Sequence, residues 1–361
     1  MTLDPSLLPD GGLQWLSASG DHAGIVISSR IRLARNLSGY AFPTRAREGE
    51  RLRVLHQVRE AAARIPGLRD AALVRVDECN AQDRLLLHER HLVSRELAGL
   101  DATQGPPGAG AVFVTGDAGV MVNEEDHLRL QVFRSGFDIG GALREAERLD
   151  REVGSEVAYA WHPEFGFLTS CPTNTGTGMR ASVLIHLPGL VLTQEIGKVL
   201  QGLQHMGLTY RGLYGEGSEV LGNYFQISNQ TTLGRGEDEL ADQLVRVVRR
   251  VIEREEEARR VLLRDAGYII EDKLWRAYGT LRHARTLPAE EAMTLLSGVR
   301  LAAGLNLVSG LSVYTLNKLL IFSQAAHLAQ AAGRALTDGE ANLARARYVR
   351  QVLAAEARLT D

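Results

Sequence analysis

A chain of 361 residues with a net charge of −3, 45% apolar and 24% charged side chains has room for two domains, or one large domain with an appendage, and its balance excludes a bulk nucleic-acid binder. Two cysteines, Cys79 and Cys171, exclude a disulfide framework and fit a reducing compartment. The opening Met1-Thr-Leu-Asp-Pro-Ser6 has neither the basic nor the apolar part of a signal peptide, and His186, Pro188 or Gln324 breaks each long apolar run, so a cytoplasmic protein with no membrane span is expected.

In chain order, residues 1–20 read as a weakly ordered lead-in, with Leu13, Trp15 and Leu16 available to dock on the body. Residues 24–29 form a strand that runs into Arg30-Ile-Arg-Leu-Ala-Arg-Asn36. On extended chain Arg30 and Arg32 point to one face. Two crowded guanidiniums either hold an anion such as a polyphosphate or form a solvated basic edge. Residues 48–65 have helical spacing, with Leu52, Leu55, Val58 and Ala62 on one side. A short strand over 73–76 and a helix over 83–97 follow, the helix carrying His88 and His91. Residues 101–110, with Pro106-Pro107, are a turn or loop. Residues 111–115 and 119–122 read as a hairpin about Gly116-Asp117, emptying into Asn123-Glu-Glu-Asp-His-Leu-Arg129. Three consecutive acids are costly to cluster without a cation to hold. Acids also favour a helix N-terminus, and Glu125 and Arg129 are in register for a helical pair.

A helix over 137–153 and a strand-like run over 159–168 lead to the stretch richest in chemistry, Thr169-Ser-Cys-Pro-Thr-Asn-Thr-Gly-Thr-Gly-Met-Arg-Ala-Ser182. Gly176 and Gly178 permit positive φ and close approach to a ligand, the hydroxyls add donors, and Arg180 adds a fork suited to phosphate. A plain glycine-rich turn around a small buried Cys171 fits the same residues. After an apolar run over 183–187 and a helix over 193–207 comes Tyr210-Arg-Gly-Leu-Tyr-Gly-Glu-Gly-Ser-Glu219, which reads as a flexible loop or as a lid that closes on substrate. Residues 224–229 form another strand. From 237 the character changes: Leu240, Leu244, Val247, Val248 and Val251 mark one long helix, a charged run continues to 260, and further helices open at Pro288 and span 313–332 and 338–358. The chain therefore divides into 1–255, with 1–20 as lead-in, and a helical 256–361.

Arg30, Arg32, Arg129, Arg180 and Arg211 lie on four segments, mostly near predicted strand ends. Glu124, Glu125, Asp126 and Glu216 lie on two loops. Only three lysines occur, Lys198, Lys273 and Lys318, leaving 41 − 3 = 38 arginines, and none of the three sits in a Walker-type loop. An arginine cage for a polyphosphate beside a carboxylate pocket for a cation suggests phosphoryl transfer to a cationic acceptor.

These stretches resemble those of the phosphagen (ATP:guanido) kinase superfamily, most closely its bacterial protein-arginine kinases. The resemblance is carried, in the family's order, by Ser28-Ser-Arg-Ile-Arg32, Asn123-Glu-Glu-Asp-His-Leu-Arg129, Cys171-Pro-Thr-Asn-Thr-Gly-Thr-Gly-Met-Arg-Ala-Ser182, the loop from Arg211 to Gly217 and Ile227-Ser-Asn229. In the tail, Glu271-Asp-Lys-Leu-Trp-Arg-Ala-Tyr-Gly279 and Leu296-Ser-Gly-Val-Arg-Leu301 resemble protein-arginine kinases rather than small-guanidine kinases, whose separate helical N-terminal domain is not expected here. The likeness runs over about residues 20–361.

The resemblance implies an α+β fold: an antiparallel sheet flanked by helices, then an all-α C-terminal domain for substrate or phosphoarginine recognition and dimerisation. It implies an ATP- and Mg²⁺-dependent kinase of arginine side chains in proteins, marking them for Clp-type proteolysis under stress. Arg30, Arg32, Arg129, Arg180 and Arg211, with Ser28, His91 and Ser182, would hold ATP. Glu125 and Glu216 would clamp the acceptor guanidinium with Cys171 against it, and Glu124, Asp126, Asn174 and Thr177 would line the acceptor side. No set of protein ligands for a metal is assigned. Implied partners are protein substrates, a second copy of the chain, a zinc-binding activator and a Clp chaperone-protease.

Two departures from the family stand out. A histidine common in the small-guanidine relatives is Leu184 here, and a pattern linked to phosphoarginine recognition survives in Ala341-Asn-Leu-Ala-Arg-Ala346 without its leading Arg-Asp pair, leaving Arg345 and Ala346 as candidate allosteric positions. The competing readings are a kinase of a free small guanidine such as arginine, and a non-catalytic phosphoarginine-binding regulator. Retention of the glutamates, the cysteine and the five arginines argues against the second.

Overall fold

The computed structural model describes residues 13–100, 105–214, 220–308 and 310–359. The chain enters through buried Leu13, Trp15 and Leu16 and then forms β1 (Val26–Arg35), longer than the strand expected over 24–29. Alternation explains the length: Ile31 and Leu33 are fully buried on one side, while Arg30 and Arg32 take the other, so the basic segment is itself strand.

Next come α1 (Glu48–Ala62), β2 (Ala72–Arg75), α2 (Ala81–Glu89), β3 (Ala111–Val114), β4 (Ala118–Val122) and β5 (Leu128–Ser135). On α1 the buried side is Val54, Leu55, Val58, Ala61 and Ala62, whereas Leu52, expected inside, is exposed. The α2 helix, capped by Asn80 on the Asp83 N–H, stops well short of residue 97. The backbone leaves helical geometry at His91, whose φ is +58°, so His88 stays on the helix and His91 does not. Residues 123–127 form a tight turn between β4 and β5 rather than a helix start: Asn123 takes φ +57° and its N–H donates to the His127 carbonyl.

Then follow α3 (Ile139–Glu156), the small hairpin of β6 (Trp161–His162) and β7 (Gly166–Phe167), β8 (Met179–His186), α4 (Pro188–Leu192), α5 (Ile196–His205), β9 (Leu208–Arg211) and β10 (Tyr224–Asn229). The helical remainder is α6 (Glu237–His283), α7 (Ala289–Gly304), α8 (Val313–Phe322), α9 (Ala325–Ala332) and α10 (Asp338–Leu359). Position 255 lies inside α6, which is interrupted at Ala266, just before Gly267, by non-helical backbone (φ −141°, ψ 26°).

Eight strands make one sheet in the order β2-β3-β4-β5-β1-β8-β10-β9, every neighbouring pair antiparallel. This is the α+β architecture expected. One face is apolar and covered by α3 and the first half of α6, with Leu143, Ala146, Leu149, Leu244, Val248 and Ile252 packed on Ile31, Leu33, Val183, Ile185 and Ile227. That burial, at about 25 cal/mol per Å² of apolar area, is the main force holding sheet to helices. The opposite face is polar at its centre. At one end it is closed by Met293, Leu320 and Ile321 of the C-terminal helices, packed with Leu16, Phe133, Leu184 and Tyr224. The C-terminal helices also share a core of their own around Leu281, Leu296, Val299, Leu319, Val349 and Leu353. No described helix is long and apolar enough to cross a membrane.

Candidate active site

Strand register gathers the arginines. Directly opposed residues in antiparallel strands share a face. On the central strand Arg32 opposes Arg180 of β8 and Gln131 of β5, Arg30 opposes Ser182 and Phe133, and Ala34 opposes Arg129. On the far side Gln226 of β10 opposes both Leu184 and Arg211. Arg30, Arg32, Arg129, Arg180 and Arg211 therefore stand on one face of the sheet, on four of the five neighbouring strands from β5 to β9, and all line a cavity of about 980 Å³.

Such crowding has an electrostatic cost. Burial, then Arg129 and Arg180, push Arg30 down to about 10. Burial, then Arg30, Arg129 and Arg180, hold Arg32 well below the usual guanidinium range, with Glu124 opposing. Arg32 Nε is buried with no partner. Like charges held this close on a rigid sheet make a standing site for a multivalent anion. Triphosphate fits the donor set.

The opposite wall is acidic. At the tight turn Arg129 donates through Nη1 to Glu124 Oε1 at 2.5 Å and through Nη2 to Glu125 Oε2 at 3.0 Å, linking the basic floor to the carboxylates. Burial raises the Glu125 carboxyl above its ordinary range against the pull of Arg129. Glu124 Oε2 is buried and unpartnered. Across from this turn the 169–178 segment closes the cavity, with Asn174 Nδ2 donating to Glu125 Oε2 at 3.4 Å and Cys171 Sγ 3.0 Å from Thr173 Oγ1. Its shape depends on two glycines. Gly176 (φ +115°) would bring a Cβ to 2.5 Å from the Thr232 carbonyl, and Gly178 (φ +63°) to 2.5 Å from that of Ala34.

Residues 53–258 match the family model for the ATP:guanido phosphotransferase C-terminal catalytic domain, and residues 268–361 that for the protein-arginine kinase McsB C-terminal domain. Over 346 residues, 95% of this chain and 97% of the relative, the chain is 44% identical to the protein-arginine kinase of Symbiobacterium thermophilum. The corresponding figures for that of Bacillus subtilis are 39% over 348 residues, 96% and 94%. The chain belongs to the protein-arginine kinase family of ATP:guanido phosphotransferases. Among solved structures, the duplicated taurocyamine kinase from Schistosoma mansoni with bound transition state analog components aligns at 26% identity with TM-score 0.59, over 71% of this chain and 35% of that protein, so this chain spans about a third of its length. Lombricine kinase, 23% identical with TM-score 0.56 over 69% and 71%, shares the fold.

Seen as a family member, the chain brings most of the expected site residues together and turns a few aside. Ser28, Ser182, Arg30 and His91 line a crevice of about 10 Å³ next to the main cavity. Burial, followed by Arg30, His88 and Arg32, holds the His91 imidazole well below its ordinary range, and so neutral. Asp126 is turned inward instead: its Oδ1 accepts from Asn36 Nδ2 at 2.7 Å and the Ser170 N–H at 2.6 Å, so it fixes the two loops to each other. Thr177 is likewise outside the cavity wall, its carbonyl accepting from Arg35 Nη1 and its Oγ1 from the Met179 N–H. Arg345 is buried among C-terminal helices, donating to the carbonyls of Ser323 and Leu287 and to Asn342 Oδ1, and Ala346 is core. Glu216 lies outside the described residues.

Sequence reasoning missed several contributors. Gln226 accepts from Arg30 Nη2 at 3.1 Å. Arg35, fully buried, pairs with Asp150 at 2.7 Å and holds the Thr177 carbonyl at 2.8 Å, anchoring the glycine turn from below. Tyr214 stacks on His91 at 5.1 Å, and Trp15 stacks on Phe133, itself under Arg30. Arg35 shares the core-facing side of β1 with Ile31 and Leu33, where an arginine demands a buried partner, but that side is visible only once the strand is known to reach residue 35.

Proposed function

We propose that the chain transfers the γ-phosphoryl group of ATP to arginine side chains of proteins. The observation that carries this reading is the face of five arginines joined through Arg129 to Glu125, a basic floor and an acidic wall in one cavity. The arginines, with Ser28, Ser182 and His91, bind the nucleotide and orient its γ-phosphorus toward the carboxylates. Glu125, together with Glu216 as the family resemblance implies, takes the acceptor guanidinium as a fork, with Cys171 and Asn174 beside Glu125. A guanidinium is protonated at ordinary pH, and its nitrogen attacks only as it sheds a proton. Glu125 accepts that proton while the N–P bond forms, the bond from phosphorus to the β–γ bridging oxygen breaks, and ADP leaves. A carboxyl raised by burial is a better proton acceptor than an ordinary one.

Mg²⁺ accompanies the nucleotide in this reading and offsets charge on its phosphates. No group of three or more metal-ligating side chains occurs among the described residues, but the unpartnered Glu124 Oε2 at the cavity wall is a carboxylate oxygen suited to a hydrated cation. Family resemblance further supports a cytoplasmic homodimer, a zinc-binding activator, and phosphoarginine as a mark for Clp-type proteolysis.

The test is incubation with Mg-ATP and either free arginine or an arginine-rich protein, following acid-labile phosphate on each. Label on the protein alone supports the reading. Label on free arginine alone moves the chain to the small-guanidine class, and no label on either, with a cognate activator present, refutes a kinase.

A further inference from the structure

The end of α2 carries a buried carboxylate that the phosphoryl transfer above does not use. Glu89 is 6% exposed, and both its oxygens meet the first turn of α9. The Ala326 N–H donates to them at 3.0 and 3.1 Å, the His327 N–H donates at 3.3 Å, and His327 Nδ1 lies 2.9 Å from Oε2. A helix N-terminus presents orphan donors and a positive end, so a carboxylate is well matched to it. Arg90 donates to His327 Nε2 at 3.3 Å, which leaves Nδ1 as the donor to Glu89 and the ring neutral. One end of α2 is thereby clamped to the C-terminal helices.

Two residues beyond Glu89 the chain turns at His91, in the left-handed region with φ +58°. The His91 carbonyl accepts from Gln131 Nε2 at 3.0 Å, and its ring lies 5.1 Å from Tyr214 and 5.6 Å from Trp15. Its Nε2 is buried without a partner, at the lining of the cavity beside Arg30. A donor or acceptor left unmade in a rigid stack is costly unless a ligand completes it.

We propose that Glu89 is a positioning residue for nucleotide binding: by clamping the end of α2 to the start of α9 it holds the His91 ring at the ATP cavity, so the C-terminal helices set nucleotide affinity. The proposal rests on the reading that the cavity takes ATP.

The test is calorimetric titration of the full chain with Mg-ATP, for wild type, Glu89→Ala, His91→Ala and the double variant, with Tm measured alongside. Each single substitution is expected to raise Kd by at least roughly fivefold, and the double no further than the worse single, because residues acting through one another are not additive. Additive losses, or a wild-type Kd for Glu89→Ala, overturn the proposal. Ser297→Ala is the control, since Ser297 Oγ joins α7 to His186 of the sheet at 2.8 Å without approaching the cavity. It is expected to lower Tm and leave Kd unchanged. If it weakens ATP as much as Glu89→Ala, the effect is general loosening and the proposal falls. Should Glu89→Ala not fold, Glu89→Gln, which keeps one acceptor for the α9 turn, is expected to give a Kd between wild type and His91→Ala; a wild-type Kd overturns the proposal. Titration needs no turnover, so a chain that binds ATP but labels no arginine refutes the kinase reading alone. His91→Ala with unchanged Kd removes His91 from the cradle, and the inference with it.

Discussion

Glu125 sits where two demands meet, since it pairs with Arg129 and lines the cavity in which the proposed acceptor would sit. Glu125→Gln keeps the shape and loses the proton acceptor. It is expected to lower kcat by about 10²–10³ while Kd for Mg-ATP stays within about twofold, a split that single-turnover kinetics and titration together would resolve. The pH dependence follows from the same group. Burial lifts its carboxyl above the ordinary value of about 4.3, and only the carboxylate accepts a proton, so kcat/KM falls as pH drops through that raised value. Glu125→Gln should erase this acid limb. What was legible at this scale was residue type: a run of three acids and an arginine four on announces carboxylate chemistry. Which acid faces which way was not. Asp126 differs from Glu125 by one position, yet the tight turn at Asn123 sends it inward to Asn36 and Ser170.

At the scale of elements, the glycine turn and the strand beneath it work as one part. Gly178 has φ +63°, and an alanine Cβ would meet the Ala34 carbonyl at 2.5 Å and Arg35 Nη1 at 2.8 Å. Gly178→Ala is therefore expected to cost about 2 kcal/mol or more in stability and to displace the Cys171 loop, lowering both Tm and phosphorylation rate. Asp150→Ala removes the main partner of Arg35, leaving Glu237 at 3.5 Å. Removing the main partner of a buried guanidinium in this way is expected to cost about 3 kcal/mol, read by urea unfolding, with KM for both substrates rising as Arg35, which holds the Thr177 carbonyl, loses its own anchor. The glycines could be read from the chain because they serve local backbone. The length of β1 and the early end of α2 could not: the first depends on Arg30 and Arg32 facing a cavity that exists only when five strands assemble. The second depends on the α9 turn that Glu89 caps and on Tyr214 stacked against His91, each more than a hundred positions away.

For the whole molecule the buried histidines set the pH response. His88, His91, His127, His186 and His327 all have imidazoles lowered chiefly by burial; His91 packs on Trp15 of the N-terminal segment, while His186 joins the sheet, and His327 the end of α2, to the C-terminal helices. In the unfolded chain each takes up a proton near its ordinary value of about 6.5. In the folded protein it does so only at lower pH. Between those two values the unfolded state binds more protons, so stability rises with pH and is lost as pH falls. Glu125, Glu237, Glu255 and Asp117 act in the opposite sense, because burial raises their carboxyls and the folded state then binds the extra proton. Their window opens lower, above ordinary carboxyl values of about 4, so the histidines dominate first. Tm is thus expected to begin falling as pH drops through about 6.5 and to go on falling below it, with the raised carboxyls opposing the loss as pH approaches their own lower range. Calorimetric scans at half-unit steps test this, and His186→Asn, which removes a histidine remote from the cavity, should reduce the slope without changing its sign. A Tm that is level or rising on acidification over this interval would mean that these rings are open to protons in the folded protein, and the tight joint between sheet and C-terminal helices would have to be abandoned.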